Sequence, residues 1–310
     1  MVFSIHSTGK LWQTEIPKGT PLAVALGCFD GVHNGHRALL EAIKNIDPAL
    51  TPAIWTFSEP LARPYLENIE TRIRLCSGLG VRLAICESYE KFCVLSPAQF
   101  VKYLADLGVK ALACGRDYRF GHDKEGDAVF LKEESARYGI EVRVVDNVVT
   151  DITGRQEKIS STIIRSLIAD GEIEKANELL SRPFYISGVI VNGNNLGRTI
   201  QVPTINQRFE PGRIVPKHGV YNSICTVEGI DYPSITNIGT RPTVMTGSHE
   251  ENCETHIIGE KLELYGKIAT VKLYSYVRPE QKYGSLEELR TQIEKDIALA
   301  KEFFERHKER

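Results

Sequence analysis

The stretch Leu22–His36 reads LAVALGCFDGVHNGH, and it predicts how the first part of the chain folds. Leu22–Leu26 is an apolar run with the length of one buried strand. The glycines that follow permit tight turns and let a ligand approach the backbone; they stand at positions 27, 31 and 35. A helix predicted from about Gly35 to Ile46 points its free N–H groups at this loop, which makes an anion site.

Further short apolar runs alternate with helical patterns in the first half of the chain. The predicted strands are Ala53–Phe57, Arg82–Cys86, Ala111–Cys114 and Glu141–Val145. Strands that alternate with helices indicate an α/β domain, a parallel sheet with helices on both faces. Ligands of such sheets lie beyond the carboxyl ends of the strands. Two signatures, GCFDGVHNGH and GRDYRFG, directly follow predicted strands, so we expect the chemistry there.

The pattern changes in the second half. Ser160 to Leu180 predicts two short helices broken at Asp170-Gly171, and turn-rich segments then separate β-type runs. These runs are Tyr185–Val191, Val220–Val227, Ile235–Ile238, Cys253–Ile258 and Ile268–Val277. They favour an antiparallel barrel or sandwich. A last helix begins after Ser285, which forms a capping-box pattern with Glu288. With the seam near Arg182-Pro183, the predicted domains are residues 1–182 and 183–310.

Composition limits the classes of function. The chain has 310 residues, and 38 lysines and arginines against 40 aspartates and glutamates give a net charge of -2. This balance argues against a protein held to nucleic acid or to an anionic membrane by bulk charge. We see neither an apolar run of the ~18 residues that a membrane span needs nor a signal-peptide pattern. Seven cysteines without CxxC spacing favour reduced thiols. We therefore expect a cytoplasmic monomer or weak homo-oligomer with small-molecule substrates.

The histidines of the first signature are candidate catalytic residues. His33 and His36 lie three residues apart at the predicted helix start, so both could face a polyphosphate. As donors they could stabilise charge that develops on a transferred phosphate and its leaving group. Two other interpretations stay open. The histidines could be surface residues near a turn, or they could both bind a metal ion, although no third ligand is near in sequence.

Two further segments of the first half carry candidate site residues. Ser160–Arg165 reads SSTIIR; its hydroxyls can cap a helix start, and Arg165 could bind a triphosphate in a forked contact. A plain capped helix with a solvated arginine is the alternative. In GRDYRFG, Tyr118 and Phe120 could contact the ring system of a ligand or merely pack, and Asp117 could hold a sugar hydroxyl or a loop amide.

The β-rich half has its own candidate site. Thr204 and Asn206 of the segment PTIN lie two apart, so in a strand their side chains share one face. A hydroxyl and an amide oxygen suit Mg²⁺ completed by phosphate oxygens and water. The preceding Gly-rich turn can bring backbone N–H groups to a phosphate. A polar turn with ordinary hydrogen bonds is the alternative.

The first half resembles a known superfamily. HxGH after the first strand is typical of nucleotidyltransferases with a Rossmann-like fold, and GCFDGVHNGH resembles the adenylyltransferase half of bacterial bifunctional riboflavin kinase/FAD synthetases. The segments LSP with FV at 95–101, GRDYRFG with Gly126, and SSTIIR match that family in order. The resemblance implies catalytic roles for His33, His36 and Arg165. It implies ATP-binding by Gly27, Phe29, Asp30, Gly31, Gly35, Ser160, Ser161 and Thr162, and flavin-binding by Asp117, Tyr118 and Phe120.

The second half resembles the riboflavin kinase half of the same family. GVIVNGNNLGRTIQVPTIN is similar to its GxVxxGxxxGRxxGxPTxN segment, and HGVY, NIGTRPT, ETHI, LYG and RPE follow in order. This implies a six-stranded Greek-key barrel with a C-terminal helix. It also implies Glu254 as general base on the riboflavin 5′-hydroxyl, and flavin-binding by Arg278. Nucleotide and Mg²⁺ would be held by Thr204 and Asn206, with Gly193, Gly197 and Arg198 also at the ATP.

The resemblance implies FAD biosynthesis: riboflavin and ATP give FMN in the C-terminal domain, and FMN and ATP give FAD and pyrophosphate in the N-terminal domain. Two departures from the family pattern stand against this. Ser58-Glu59 replaces a histidine-containing stretch, and Gln201 replaces a glycine. Hence the alternatives are retention of only one activity, or a non-catalytic flavin or nucleotide sensor. A nucleotidyltransferase for another phosphorylated vitamin would leave the second set of motifs unexplained.

Overall fold

The chain divides into two compact units, residues 1–163 and 164–310. The computed structural model describes residues 2–5, 11–62, 64–192, 202–242, 249–260, 262 and 264–307. The seam predicted at Arg182-Pro183 lies after two helices of the second unit. Among the helices in these ranges, none is long and apolar enough to cross a lipid bilayer.

The first unit is built on a seven-stranded sheet with the strand order β2-β1-β5-β4-β3-β6-β9. The pairs from β5 to β9 are parallel, and β1 and β2 add an antiparallel edge. The strands are β1 (Val2–Ile5), β2 (Leu11–Thr14), β3 (Leu22–Leu26), β4 (Thr51–Phe57), β5 (Leu83–Glu87), β6 (Val109–Gly115) and β9 (Glu141–Val145). The predicted bounds of β3 and β9 are confirmed, whereas β1 and β2 were not predicted.

Both faces of this sheet are covered by helices. Along β3, Leu22, Val24 and Leu26 belong to one apolar cluster, whereas Ala23 and Ala25 belong to another. Successive side chains of a strand point to opposite faces, so a continuous apolar run fits a strand buried on both sides. The helices are α1 (Asn34–Lys44), α2 (Ile69–Gly78), α3 (Tyr89–Phe92), α4 (Pro97–Asp106) and α5 (Ala128–Ala136). The α/β prediction is confirmed.

Small elements complete this unit near the loops. Two short hairpins consist of β7 (Arg119–Phe120) with β8 (Gly126–Asp127), and of β10 (Val149–Thr150) with β11 (Glu157–Lys158). Helix α6 (Ser161–Asp170) begins in the first unit, and α7 (Ile173–Leu180) follows it. The predicted break at Asp170-Gly171 is confirmed, since Gly171 has φ +83°.

The second unit contains a nearly closed six-stranded antiparallel barrel, with the order β12-β17-β14-β15-β16-β13. A single bridge between Val191 and Asn206 links the segment after β12 to β13. The strands are β12 (Phe184–Val189), β13 (Ile205–Arg208), β14 (Gly219–Val227), β15 (Ile230–Pro242), β16 (His249–Ile257) and β17 (Ile268–Arg278). The barrel prediction is confirmed, although β13 was not among the predicted strands and β15 is much longer than expected.

Two helices pack on the barrel. Asn177 of α7 donates from Nδ2 to the Leu273 carbonyl at 2.9 Å and accepts the Phe184 N–H at 2.6 Å. The final helix, α8 (Leu286–His307), begins after Ser285, whose hydroxyl accepts the Glu288 N–H at 3.1 Å. Glu288 in turn accepts the N–H of Gly284 at 2.9 Å. The predicted cap is therefore present, with the return bond one residue earlier than in a standard capping box.

Candidate active sites

The loop between β3 and α1 has an unusual backbone. Phe29, Gly31 and Val32 all have positive φ, at 52°, 84° and 43°. For phenylalanine and valine this conformation is strained, and such strain concentrates at functional sites. Phe29 is fully buried, so its ring anchors the loop while the backbone turns toward the start of α1. The loop thus presents its backbone at the carboxyl end of β3, as the sequence predicts.

Asp30 fixes this loop to the segment before α2. Its carboxylate accepts the N–H groups of Leu66 and Glu67, each at 3.0 Å, and lies 3.6 Å from Nη2 of Arg72. Arg72 is 2% exposed and donates to the Cys28 carbonyl at 3.0 Å. The side chain of Asp30 therefore holds the loop in shape, and its predicted contact with ATP stays a prediction.

His33 and His36 form a stacked pair at the start of α1. Their ring centroids are 3.8 Å apart with an interplanar angle of 22°. Gly35 permits this packing, because a Cβ there would lie 3.1 Å from Cε1 of His33. Within the described ranges, the buried Nδ1 atoms of both histidines have no hydrogen-bond partner. Unpartnered buried nitrogens cost free energy, so these two atoms lack the hydrogen bonds that a purely structural role would supply.

Electrostatics keep this pair neutral. Burial, and then the charge of Lys158, lowers the pKa of His33 to about 4. Burial, followed by the charges of His33, Arg72 and Lys158, holds the pKa of His36 well below its usual value. A neutral imidazole keeps one N–H donor, and a bound anion would favour its protonation. Among the described residues, no group of three or more His, Cys, Asp or Glu side chains could hold a metal ion.

A second helix start meets the same loop. Ser160 accepts the Ile163 N–H at 3.4 Å, so the predicted cap of α6 is present. Ser161 donates from its hydroxyl to the Asp30 carbonyl at 2.8 Å. This contact brings the first residues of α6, including Thr162, to the GCFDG loop. Arg165 lies one turn further along α6, in the second unit, and its role stays a prediction.

The GRDYRFG loop carries an ion pair that the sequence analysis missed. Nζ of Lys158 lies 2.6 and 2.5 Å from the two carboxylate oxygens of Asp117. The rings of Tyr118 and Phe120 stack at 5.6 Å, and Phe120 packs into the core against Phe100. Burial raises the pKa of Tyr118, so its hydroxyl keeps its proton. Lys158, whose charge acts on both histidines, thus joins the predicted flavin-binding loop to the histidine pair.

Glu59, one of the departures from the family pattern, is engaged by its neighbours. Its carboxylate accepts the Ser58 hydroxyl at 2.6 Å and the N–H of Tyr89 at the start of α3. Burial raises the pKa of Glu59, but these two hydrogen bonds outweigh it and the net pKa is lowered. The charge of Glu59 is therefore compensated by the first turn of α3.

In the barrel, three strands bring polar side chains together. Glu254 of β16 lies opposite Asn206 of β13 and Asn237 of β15. Asn252, two residues before Glu254, donates from Nδ2 to Oε1 of Glu254 at 2.9 Å and to Oδ1 of Asn206 at 3.2 Å. The structure thus places the predicted base Glu254 beside the predicted ligand Asn206.

His256 anchors the PTIN segment to β16. Its Nδ1 lies 2.8 Å from the carbonyl oxygen of Pro203. Because a carbonyl only accepts, Nδ1 carries the proton and Nε2 is the acceptor. Burial lowers the pKa of His256 against the smaller, opposite effect of this hydrogen bond. The neutral ring therefore fixes the strand-to-loop geometry next to Thr204.

Two cavities meet at Thr204. One, of about 190 Å³, is lined by Thr204, Asn237, Glu254 and Arg278, together with residues of α8 such as Asp296. The other, of about 40 Å³, is lined mainly by apolar side chains and by Thr204 and Glu260. Thr204 therefore lies between the larger and the smaller cavity. Gly193, Gly197, Arg198 and Gln201 lie outside the described residues.

Arg278 lines the larger cavity, but its guanidinium is bound to Asp296 of α8. Nη2 lies 2.7 Å from Oδ2, and Nε lies 3.1 Å from both carboxylate oxygens. Its predicted flavin contact stays a prediction. The sequence analysis missed Asp296, and it also missed Asn252 and His256. For the last two a signal existed, because residues two before and two after Glu254 share its face of a strand.

A stacked histidine pair at a helix start in the α/β unit and a carboxylate beside a cavity in the barrel are features expected of a transferase that handles nucleotides. Residues 16–163 match the family model described as FAD synthetase, and residues 180–304 match that of riboflavin kinase. The chain belongs to the family of bifunctional riboflavin kinase/FMN adenylyltransferases.

Relatives of that name align along nearly the whole chain. The one from Escherichia coli (strain K12) is 35% identical over 91% of this chain and 92% of its own length. Those from Pseudomonas fluorescens and Bacillus subtilis (strain 168) are 34% and 32% identical, over 92% and 91% of this chain, and 94% and 92% of their own. A crystal structure described as a macrolide-efflux protein from Streptococcus pneumoniae has a TM-score of 0.82 and 28% identity, and covers 92% of this chain and 95% of that one.

Proposed function

We propose that this chain makes FAD from riboflavin in two ATP-dependent steps. The barrel unit transfers a phosphoryl group from ATP to riboflavin and gives FMN and ADP. The α/β unit transfers AMP from ATP to FMN and gives FAD and pyrophosphate. The observation that carries this proposal is that each unit holds its own site: Glu254 beside Asn206 in the barrel, and the neutral pair of His33 and His36 at the start of α1.

In the kinase step, Glu254 takes the proton of the riboflavin 5′-hydroxyl as this oxygen attacks the γ-phosphorus and the bond to ADP breaks. An alcohol is a weak nucleophile and needs a positioned base. The cavity of about 190 Å³ lies in front of Glu254 and provides the place for the flavin. The smaller cavity on the other side of Thr204 provides the place for part of ATP.

The donor set beside Glu254 fits Mg²⁺. Asn206 presents an amide oxygen and Thr204 a hydroxyl, both hard donors, and the ion usually takes only one or two protein ligands besides phosphate oxygens and water. The hydrogen bond from Asn252 fixes the side-chain oxygen of Asn206 as an acceptor, and an oxygen is the atom that a cation needs. When bound, Mg²⁺ would neutralise charge on the transferring phosphoryl group.

In the adenylyltransferase step, a phosphate oxygen of FMN attacks the α-phosphorus of ATP, and pyrophosphate leaves. The chain's part is to align the phosphates and to stabilise their charge. Positive charge near the phosphates comes from the backbone N–H groups at the starts of α1 and α6, and from the ammonium of Lys158. His33 and His36 supply N–H donors that a bound phosphate would help to protonate.

We further propose that the protein works in the cytoplasm as a monomer or weak homo-oligomer, without nucleic acid. The near balance of charge supports this, and so do the thiols. Cys76, Cys114, Cys225 and Cys253 are buried, and burial raises the pKa of each. Thiols with a raised pKa are poor nucleophiles and need no oxidising compartment. Sedimentation at several protein concentrations tests the oligomeric part.

The deciding experiment follows flavins by chromatography after incubation with riboflavin, ATP and Mg²⁺. We expect FMN first and FAD later. Glu254→Ala should abolish FMN formation yet convert supplied FMN to FAD, and His36→Ala should show the reverse. Glu228→Gln, on an exposed turn of the barrel, serves as the control and should keep both FMN formation and FAD formation. FMN without FAD would remove the adenylyltransferase step, and no conversion would favour the sensor alternative.

A further inference from the structure

Asn252 lies on the same strand as Glu254 and is buried beside it. It lies on β16 opposite Gly239 of β15 and Arg208 of β13, two residues before Glu254 and on the same face. A Cβ at Gly239 would lie within 3 Å of the carboxylate of Glu280, so this position has no room for a side chain. Asn252 is 8% exposed, so solvent does not replace its hydrogen bonds readily.

The amide nitrogen of Asn252 serves two acceptors at once. It donates to Oε1 of Glu254 at 2.9 Å and to Oδ1 of Asn206 at 3.2 Å. An amide nitrogen has two hydrogens, so both donors are used. The opposite orientation of the amide would place its oxygen against a carboxylate, which is repulsive. The two bonds therefore fix the orientation of Asn252 and the spacing of the two acceptor oxygens.

The same contact decides which atom of the Asn206 amide faces Asn252. A hydrogen bond from Asn252 requires an acceptor, so the Asn206 oxygen, not its nitrogen, lies on the side of Asn252. A cation needs that oxygen. The strand register supports the arrangement, because Asn206 and Glu254 are directly opposite each other on neighbouring strands. Side chains directly opposite have Cβ atoms about 5 Å apart, close enough for one amide to bridge them.

We propose that Asn252 is a positioning residue for the kinase step: it holds the carboxylate of Glu254 and the amide oxygen of Asn206 at a fixed separation. The inference rests on the proposed function and adds to it a residue that touches neither substrate. Asn252 aligns the group that takes the proton with the group that would hold the cation. Groups that orient a metal ligand typically change metal affinity or activity by about 10- to 100-fold when removed.

Variants that differ in the number of hydrogen-bond donors at position 252 separate this positioning role from a purely structural one. Asn252→Ala removes both donors, and Asn252→Ser keeps a single donor that can serve only one acceptor. Asn252→Asp keeps the size of the side chain but sets a carboxylate against Glu254. We expect the kinase kcat to fall about 10- to 100-fold in the alanine and aspartate variants and less in the serine variant. The KM for riboflavin should stay within about twofold, because Asn252 does not line the flavin cavity.

A second measurement reports on the cation without turnover. Mn²⁺ is titrated into the full chain with ADP and followed by electron paramagnetic resonance. The adenylyltransferase site is identical in all these proteins, so any difference belongs to the barrel. We expect weaker Mn²⁺ binding in Asn252→Ala, about tenfold. Asn222→Ala is the matched control, since Asn222 is also buried in the barrel but donates to Ser275, outside the cavity lining.

The outcomes separate the two proposals. If the wild type forms no FMN, the proposed function fails. If the wild type forms FMN and Asn252→Ala matches Asn222→Ala in kcat and in Mn²⁺ affinity, the positioning role alone is overturned. Should the alanine variant not fold, the serine and aspartate variants decide. A kcat for Asn252→Asp at or above that of Asn252→Ser would overturn the inference, because the donor count would then not matter.

Discussion

Arg278 and Asp296 join the last strand of the barrel to the C-terminal helix through a forked ion pair. The guanidinium Nη2 lies 2.7 Å from Oδ2 of a carboxylate that is 1% exposed. Nη1 donates to the Pro279 carbonyl at 3.0 Å, so the group is fixed on both sides. Two-pronged contacts of this kind are stronger and more directional than single charge contacts. The wall that α8 contributes to the larger cavity therefore depends on this pair.

Asp296→Ala should strongly destabilise the barrel unit. It leaves the guanidinium of Arg278 without its counter-ion, and breaking a buried pair in this way costs about 3–5 kcal/mol of unfolding free energy. The KM for riboflavin should rise, because α8 lines the cavity. Calorimetry and kinase assays measure both effects. Glu294→Ala is the control, since its pair with Arg290 is exposed and contributes about 1 kcal/mol at most. Equal unfolding temperatures for the two variants would contradict this prediction.

Arg72→Met should impair the first unit alone. The substitution removes donors to the carbonyls of Glu67 and Cys28 at 2.8 and 3.0 Å, and takes away the cation beside Asp30. We expect a loss of about 3–5 kcal/mol in unfolding free energy and a fall in conversion of FMN to FAD, with FMN formation unchanged.

The control for Arg72 stands two residues further on in the same helix. Arg74 is exposed and pairs with Glu70, so Arg74→Met should change stability by about 1 kcal/mol at most. Urea unfolding followed by tryptophan fluorescence reports on the first unit, because Trp12 and Trp55 both belong to it. If the two variants unfold at the same urea concentration, the buried cation does not hold the loop.

The sequence predicted the elements whose signals are local. Leu22–Leu26 is apolar at every position, because the strand is buried on both faces, and its bounds could be predicted to the residue. His33 and His36 could be predicted as candidates from their spacing and from the strand before them, whereas the stacking of their rings could not. What could not be predicted depends on residues far apart in the chain. Lys158 meets Asp117 across 41 positions, and Asp296 meets Arg278 only because α8 folds back. Strand β13 reads INQR and has one apolar residue, Ile205, so its pattern does not stand out from a loop.

His33 should make the first unit sensitive to acid. Its pKa is about 4 in the folded protein and 6.5 ordinarily, so between these values the unfolded chain binds more protons. The stabilisation that follows from the lowered pKa of His33 is complete above pH 6.5, and it is lost as the pH falls toward 4. Between about pH 7.5 and about pH 5, the wild type should lose about 2 kcal/mol more unfolding free energy than His33→Asn. Urea unfolding at both pH values measures the difference, and parallel losses in the two proteins would refute it.

Lys158→Met should separate function from stability. The side chains of Lys158 and Asp117 are 40% and 57% exposed, so their ion pair contributes about 1 kcal/mol at most to folding. Yet the ammonium lowers the pKa of both histidines, and in the proposed adenylyltransferase step it would face the phosphates. We expect conversion of FMN to FAD to slow about tenfold or more, with little change in unfolding temperature.

Arg116→Met provides the matched control for Lys158. Arg116 lies next to Asp117 and forms an even more exposed pair with Asp146, and its charge is not among those that lower the pKa of the histidines. At low salt and at high salt alike, Arg116→Met should convert FMN to FAD at the rate that the wild type shows at the same salt concentration. The wild-type rate should fall with rising salt more steeply than that of Lys158→Met, because screening weakens an exposed ammonium and cannot weaken a missing one. Equal rates and equal salt dependence in both variants would show that Lys158 has no part in the adenylyltransferase step.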